Sequence, residues 1–290
     1  MTLKKIISVS VFMFVVIASA LCLFSANSKK SQSFRYLRYS FVFENTRNTS
    51  IDDLGITIFA PLESRHQIIK KLVSSHKFTA NNSHFASKLL FKAGVIPPYS
   101  SAEISIDTEI GLKPGNSISV FENTKPYLKP EKFIPCDDPE IIKIAGTLKG
   151  KNKEETVNNI LRWIKSEVAF SGYSGKRLGA NVAIRNKKGD CTELMDVFLT
   201  LARACDIPAR GVSGFICDSD MVLRPDGYHN WAEYYDGLSW VGVDPSYGKT
   251  GESFKNYVVF RIFEPGYAGE GSLFEIPEQF KGVIKVRMNT

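Results

Sequence analysis

From Cys191 onward the chain spells a helix with almost no polar face to give to water. Leu194, Phe198 and Leu201 recur at helical spacing, and Met195, Val197 and Leu199 fill positions between them. Such an element belongs in the middle of a domain, not on its surface. Its start is written into the sequence: Asp190 is a capping residue, and Glu193 stands three positions later, as in a capping box. Cys191 is then the first residue of a buried helix. First-turn amides have no partners within a helix and carry the positive end of its dipole. That position favours the thiolate, the nucleophilic form, and lets the Cys191 N–H face a developing oxyanion. Asp190 opposes the thiolate unless its carboxylate is turned onto the cap.

A thiol nucleophile needs a base, and past residue 84 the chain offers one histidine, His229. It lies in Tyr228–Tyr235, a run of β character, followed by Asp236-Gly237, a strong two-residue hairpin signal. The second strand is Leu238–Asp244, halted by Pro245. A two-residue loop sets Tyr235 opposite Leu238 and therefore His229 opposite Asp244, with side chains on one face. A carboxylate there can take a hydrogen bond from one imidazole nitrogen and leave the other to face a thiol. One extra loop residue would put the two side chains on opposite faces.

Upstream, residues 34–121 read as short strands. Ala102–Ile110 alternates strictly, with Ile104, Ile106 and Ile110 on one face, and Leu37, Tyr39, Phe41 and Phe43 alternate likewise. Leu54, Ile56 and Ile58 form another strand, ended by Ala60-Pro61, and Ser117–Phe121 a short further one. These predict a small immunoglobulin-like β-sandwich over residues 31–124. His66, His76 and His84 fall within it at spacings that match no metal motif. Three prolines in Lys125–Pro135 mark a linker, assigned to residues 125–136. Asp138-Pro139 starts a helix, and Val157, Ile160, Leu161, Ile164 and Val168 give helical spacing over 154–169. The fold class is α+β, with the catalytic domain over residues 137–290.

Charge settles which partners to expect. The chain of 290 residues has a net charge of +7, which raises nucleic acid as a partner. The excess is badly placed for that: residues 1–30 hold four lysines and no acid, whereas residues 130–290 carry a net charge of −1. No nucleic-acid partner is expected. Lys4 and Lys5 instead precede an uncharged run, Ile6–Phe24, long enough as a helix to cross the hydrocarbon of a bilayer at about 1.5 Å per residue. Residues 1–30 are a cleaved signal peptide, favoured by Ala18-Ser19-Ala20, or a retained membrane anchor, favoured by the length of the run. Cys22 is a poor match to a lipidated cysteine. The two lysines keep the N-terminus cytoplasmic, so the remainder is expected to be exported, periplasmic or at the cell surface, with membrane contact through residues 6–24 if the leader is uncleaved.

Taken together the motifs resemble the transglutaminase-like superfamily of papain-like thiol enzymes. Gly189-Asp190-Cys191 resembles its cysteine box, and Arg203-Ala204-Cys205-Asp206-Ile207-Pro208-Ala209-Arg210 with Gly214-Phe215 resembles the segment after its central helix. His229-Asn230-Trp231-Ala232-Glu233 and Trp240-Val241-Gly242-Val243-Asp244-Pro245 resemble its histidine and aspartate boxes. The resemblance covers about residues 139–262. It implies a papain-like core, a triad of Cys191, His229 and Asp244, and acyl transfer through a thioester on a peptide or protein substrate, with neither cofactor nor metal. Hydrolysis and transamidation both remain open. A catalytically inactive scaffold that binds an envelope partner is the alternative. Asp206 replaces the family's usual Gly at a position where Asp tolerates a left-handed backbone. The second oxyanion donor has no clear counterpart, Tyr173 and Trp163 being the candidates. Arg210 reads as structural. Cys136, Cys205 and Cys217 fit no disulfide or metal spacing.

Overall fold

The alternating strands of the N-terminal half fold as two antiparallel sheets that share one apolar core. In the computed structural model, residues 33–289 are described, apart from 65, 114–116, 119–122, 174 and 270. The expected leader, with Cys22, lies outside them. The long strand Ser33–Asn45 pairs with Ser101–Leu112, which pairs in turn with Gln67–Ser74. The second sheet orders Phe274–Glu275, Gly55–Ala60, Ser87–Lys92 and Phe78–Asn82. Leu37, Tyr39, Phe41, Ile104, Ile106 and Ile110 from the first sheet meet Ile56, Ile58, Leu89 and Phe91 from the second. These are the alternating positions of the sequence, because a period of two sends every second side chain inward.

Cys191–Ala204 is the central helix, and residues 192–203 are buried without interruption. Three helices pack against it: Pro139–Leu148, Lys153–Glu167 and Ala180–Asn186. The first starts as its sequence predicts, with the Asp138 carboxylate accepting from the Glu140 N–H at 2.9 Å. On its other side the central helix lies on an antiparallel sheet ordered Lys249–Thr250, Ser239–Asp244, Tyr228–Tyr235, Ala209–Ile216 and Tyr257–Ile262. Between helix and sheet the chain turns at Asp206, with φ of 63°. The left-handed position expected there is occupied by the residue type that tolerates it.

Three expectations about the boundaries are corrected. Residues 284–288, assigned from sequence to the catalytic domain, pair with Phe41–Asn45 in the first sandwich sheet. Residues 221–222 and 274–275 likewise complete the two sandwich sheets. In the opposite sense, Ser117–Ile118, read as a sandwich strand, pairs with Ser239–Trp240 of the helix-bearing sheet. Residues 125–136 are not a free linker. Tyr127 is buried with its ring centroid 5.1 Å from that of Trp240, and buried Arg203 donates to the Lys129 carbonyl at 2.7 Å and to the Glu131 carboxylate at 2.7 Å. The physical reason is shared burial. Phe215, Leu223, Val258 and Phe260 from the C-terminal half join the sandwich core, so neither half closes its apolar surface alone, and Ser33–Thr290 forms one compact unit.

Candidate active site

The helix start that carries Cys191 is a capping box. The Asp190 carboxylate accepts from the Thr192 N–H at 2.8 Å, and the Glu193 carboxylate accepts from the Asp190 N–H at 3.1 Å. The Asp190 charge is therefore turned onto the cap and not toward the thiol, which is the condition the sequence imposed on a nucleophilic Cys191. Glu193 also accepts from the Leu178 N–H at 2.8 Å, and burial is the main reason that its carboxyl is pushed up to about 7. Cys191 itself is half-buried.

His229 and Asp244 come together, but by a different register from the one expected. The connection runs over four residues, setting Tyr235 opposite Trp240 and Ala232 opposite Val243. The Asp236 carboxylate holds this turn by accepting from the Leu238 N–H at 2.6 Å and the Ser239 N–H at 2.8 Å. Local turn chemistry thus replaces the two-residue loop. The slip is by two residues, and side chains alternate with a period of two, so the face is preserved. Extended by one pair, the register puts Asp244 opposite Trp231 and diagonal to His229, a separation that side chains still bridge. His229 Nε2 lies 2.7 Å from Asp244 Oδ2.

Asp244 is fully buried and held on every side. Oδ2 also accepts from Tyr257 Oη at 2.8 Å, and Oδ1 accepts from the Ser246 N–H at 3.0 Å and the Tyr247 N–H at 3.4 Å. These donors compensate the burial of a carboxylate. With Nε2 on Asp244, the Nδ1 side of the ring is the one left for the thiol, and Cys191 is among the groups that raise the His229 pKa. Burial pulls the His229 pKa down, but the hydrogen bonds to Asp244 and Cys191, with the charges of both, outweigh it and push it up to about 9. Trp231 stacks on the imidazole at 6.1 Å between centroids, and Tyr247 lies against it at 5.4 Å. The arrangement can ionise a thiol by proton transfer to an imidazole, hold the resulting imidazolium on a carboxylate, and return the proton to a leaving group.

The other singled-out residues fall elsewhere. Arg210 pairs with Glu233 at 2.8 Å across neighbouring strands and lies 4.0 Å from the Trp240 ring, the structural role expected of it. Trp163, half-buried, packs on the helical core. Tyr173 is 86% exposed, two residues past the point where the Ser171 N–H donates to the Gly189 carbonyl at 2.9 Å. His76 and His84 are exposed and His66 half-buried. Cys136, Cys205 and Cys217 are free and buried. Sequence reasoning missed a buried ion pair. Asp196, on the helix read as apolar, takes a two-pronged contact from Arg177 at 2.6 and 2.9 Å, and burial still pushes its carboxyl up to about 6. The signal was there: past its first turn this helix carries one carboxylate, and a buried carboxylate requires a partner. Tyr257, the second donor to Asp244, left no such sign.

A thiol at the first turn of a central helix, an imidazole on the neighbouring sheet and a carboxylate behind it define a papain-like thiol core. Residues 142–245 match the model of the transglutaminase-like superfamily, so over them the chain is similar to that superfamily. No curated protein matches it as a sequence relative. Among solved structures, a candidate cysteine protease from Cytophaga hutchinsonii is similar over 90% of both chains, at 18% identity and a TM-score of 0.62. The periplasmic domain of TgpA from Pseudomonas aeruginosa aligns over 76% of this chain and 89% of its own, at 15% identity and a TM-score of 0.39. A red sea bream transglutaminase aligns over 72% and 48%, at 11% identity and a TM-score of 0.30.

Proposed function

We propose that the protein is an exported thiol enzyme that transfers or hydrolyses acyl groups of a peptide or protein substrate through a thioester on Cys191. The observation that carries this reading is the 2.7 Å contact of His229 Nε2 with Asp244 Oδ2, made by an imidazole whose pKa is raised by Asp244 and Cys191 together. Cys191 Sγ gives its proton to His229 and attacks the substrate carbonyl carbon. The C–O double bond becomes an oxyanion beside the first-turn amides. The oxyanion collapses, the C–N bond breaks, and the imidazolium delivers its proton to the departing amine, leaving the acyl group on sulfur. His229 then takes a proton from water or from an incoming amine, which attacks the thioester and releases the thiol. Asp244 orients the imidazole throughout and stabilises its charged form. The triad serves either acceptor, so water gives a peptidase or amidase and an amine gives a transglutaminase.

Export is supported by the basic, then apolar, character of residues 1–30; on this reading the enzyme works in the periplasm or at the cell surface, tethered by residues 6–24 when the leader is kept. An iodoacetamide-based thiol probe tests the catalytic reading. Labelling of the wild type that disappears in Cys191→Ala supports it, and labelling that survives the substitution shows that the reactive thiol is elsewhere. Peptide and amine libraries, scored for hydrolysis against amine incorporation, identify the acceptor.

A further inference from the structure

Cys191 and His229 sit on different elements, and the residue after each joins those elements at the catalytic end. Asn230 Nδ2 donates to Thr192 Oγ1 at 2.8 Å, and both side chains are buried. Thr192 is itself fixed from two directions. Its N–H is bound by the Asp190 cap, and its branched β-carbon restricts the rotation that aims Oγ1. Asn230 pairs directly with Ser213 on the next strand. The bond therefore runs from the cap of the central helix into the middle of the sheet. Asn230 Oδ1, by contrast, finds no hydrogen-bond partner among the described residues. A buried amide left half-satisfied is costly, and the fold tolerates it at the position where the amide nitrogen reaches the Cys191 turn.

We propose that Thr192 and Asn230 are positioning residues that set the separation of the Cys191 thiol and the His229 imidazole. Lower down, helix and strand are held by apolar contacts through Ala232 and Tyr234 with Leu194, Phe198 and their neighbours. Apolar contacts of this kind are not directional. A hydrogen bond between the neighbours of the two reacting groups is directional, and it acts where a displacement of about 1 Å costs about a hundredfold in rate.

This inference rests on Cys191 and His229 acting as a pair, and its test separates the two ideas. Alkylation of Cys191 by iodoacetamide is followed by mass spectrometry of its peptide in the full chain, from about pH 5 to about pH 10. An unassisted thiol is nearly inert at the acid end of that range. Wild-type Cys191 should react there, and Cys191 in His229→Ala should not. If wild type and His229→Ala behave alike, the pair itself is refuted. Thr192→Val keeps the shape of the side chain but removes the acceptor, and Asn230→Ala removes the donor. Each should lower the acid-limb rate by about tenfold or more, with little change at the alkaline end, where any thiol is ionised. Thr192→Ser should recover most of the rate. The double variant Thr192→Val/Asn230→Ala should be no worse than the singles, because one bond is lost in all three. Acid-limb rates within about twofold of wild type in both single variants overturn the positioning role. So does a loss that Thr192→Ser fails to recover while its melting temperature stays at that of wild type.

Discussion

Replacing His229 with Gln exposes the electrostatics of the site as a dependence of stability on pH. The imidazole pKa is raised from its ordinary 6.5 to about 9. Converted at about 1.36 kcal/mol per pH unit, the difference corresponds to about 3 kcal/mol. His229 is only 9% exposed, so solvent screening removes little of it. A pKa raised in the folded state means that folding favours the protonated ring. The stabilisation is therefore complete below about pH 6.5 and is lost as the pH rises through about 9. Urea denaturation at closely spaced pH values measures it. Between about pH 6 and about pH 10 the wild type should lose about 3 kcal/mol more than His229→Gln does. Glu193 and Asp196, whose carboxyls are raised to about 7 and about 6, titrate in both proteins and drop out of the difference. Cys191→Ser should show a smaller span than wild type, because the thiol contributes to the raised value. A difference between wild type and His229→Gln that stays constant within about 1 kcal/mol over the whole range would refute the coupling of the imidazole to Asp244 and Cys191.

Other substitutions probe separate parts of the argument. Asp244→Asn should leave the protein folded but cut kcat by a factor on the order of 10² to 10⁴, measured on any substrate that the libraries yield. An amide there either turns the wrong imidazole nitrogen toward Cys191 or abandons the Ser246 and Tyr247 N–H groups. Arg177→Met leaves Asp196 buried without its counter-charge and should destabilise by about 3–5 kcal/mol at about pH 8. Because Asp196 then folds more readily in its neutral form, the loss should shrink at about pH 5, as read by thermal melts at both values. Gly214→Ala builds a methyl group into the Val258 carbonyl oxygen and should destabilise by about 2 kcal/mol or more, visible in the urea midpoint. Asp236→Ala removes the acceptor that holds the four-residue turn. It should cost about 1 kcal/mol and lower activity through the His229–Asp244 register, whereas an unchanged melt and rate would show that the turn does not set that register.

The parts of the fold legible in sequence are those set by local rules. The capping box at Asp190 and Glu193, the cap at Asp138 and the left-handed Asp206 are each decided within four residues, and each stands where it was read. The alternation of Ile104, Ile106 and Ile110 needed only the period of a strand and a wet face opposite a dry one. His229 and Asp244 were found by a register that is wrong by two residues, and the pairing survived because an even slip leaves every side chain on its own face.

What the sequence by itself determined is which residues could carry the chemistry: a thiol at the mouth of a helix that must be buried, with a single downstream histidine to serve it. It did not determine how the pieces are held. The hairpin length was decided by the Asp236 side chain, the threefold anchoring of Asp244 by Tyr257 and the turn after Pro245, and the ion pair of Arg177 with Asp196 by burial of both. The exchange of edge strands between sandwich and core joins residues more than a hundred positions apart. Such contacts leave no periodic trace in either partner, because the free energy that selects them comes from apolar surface that becomes complementary only once both halves have folded.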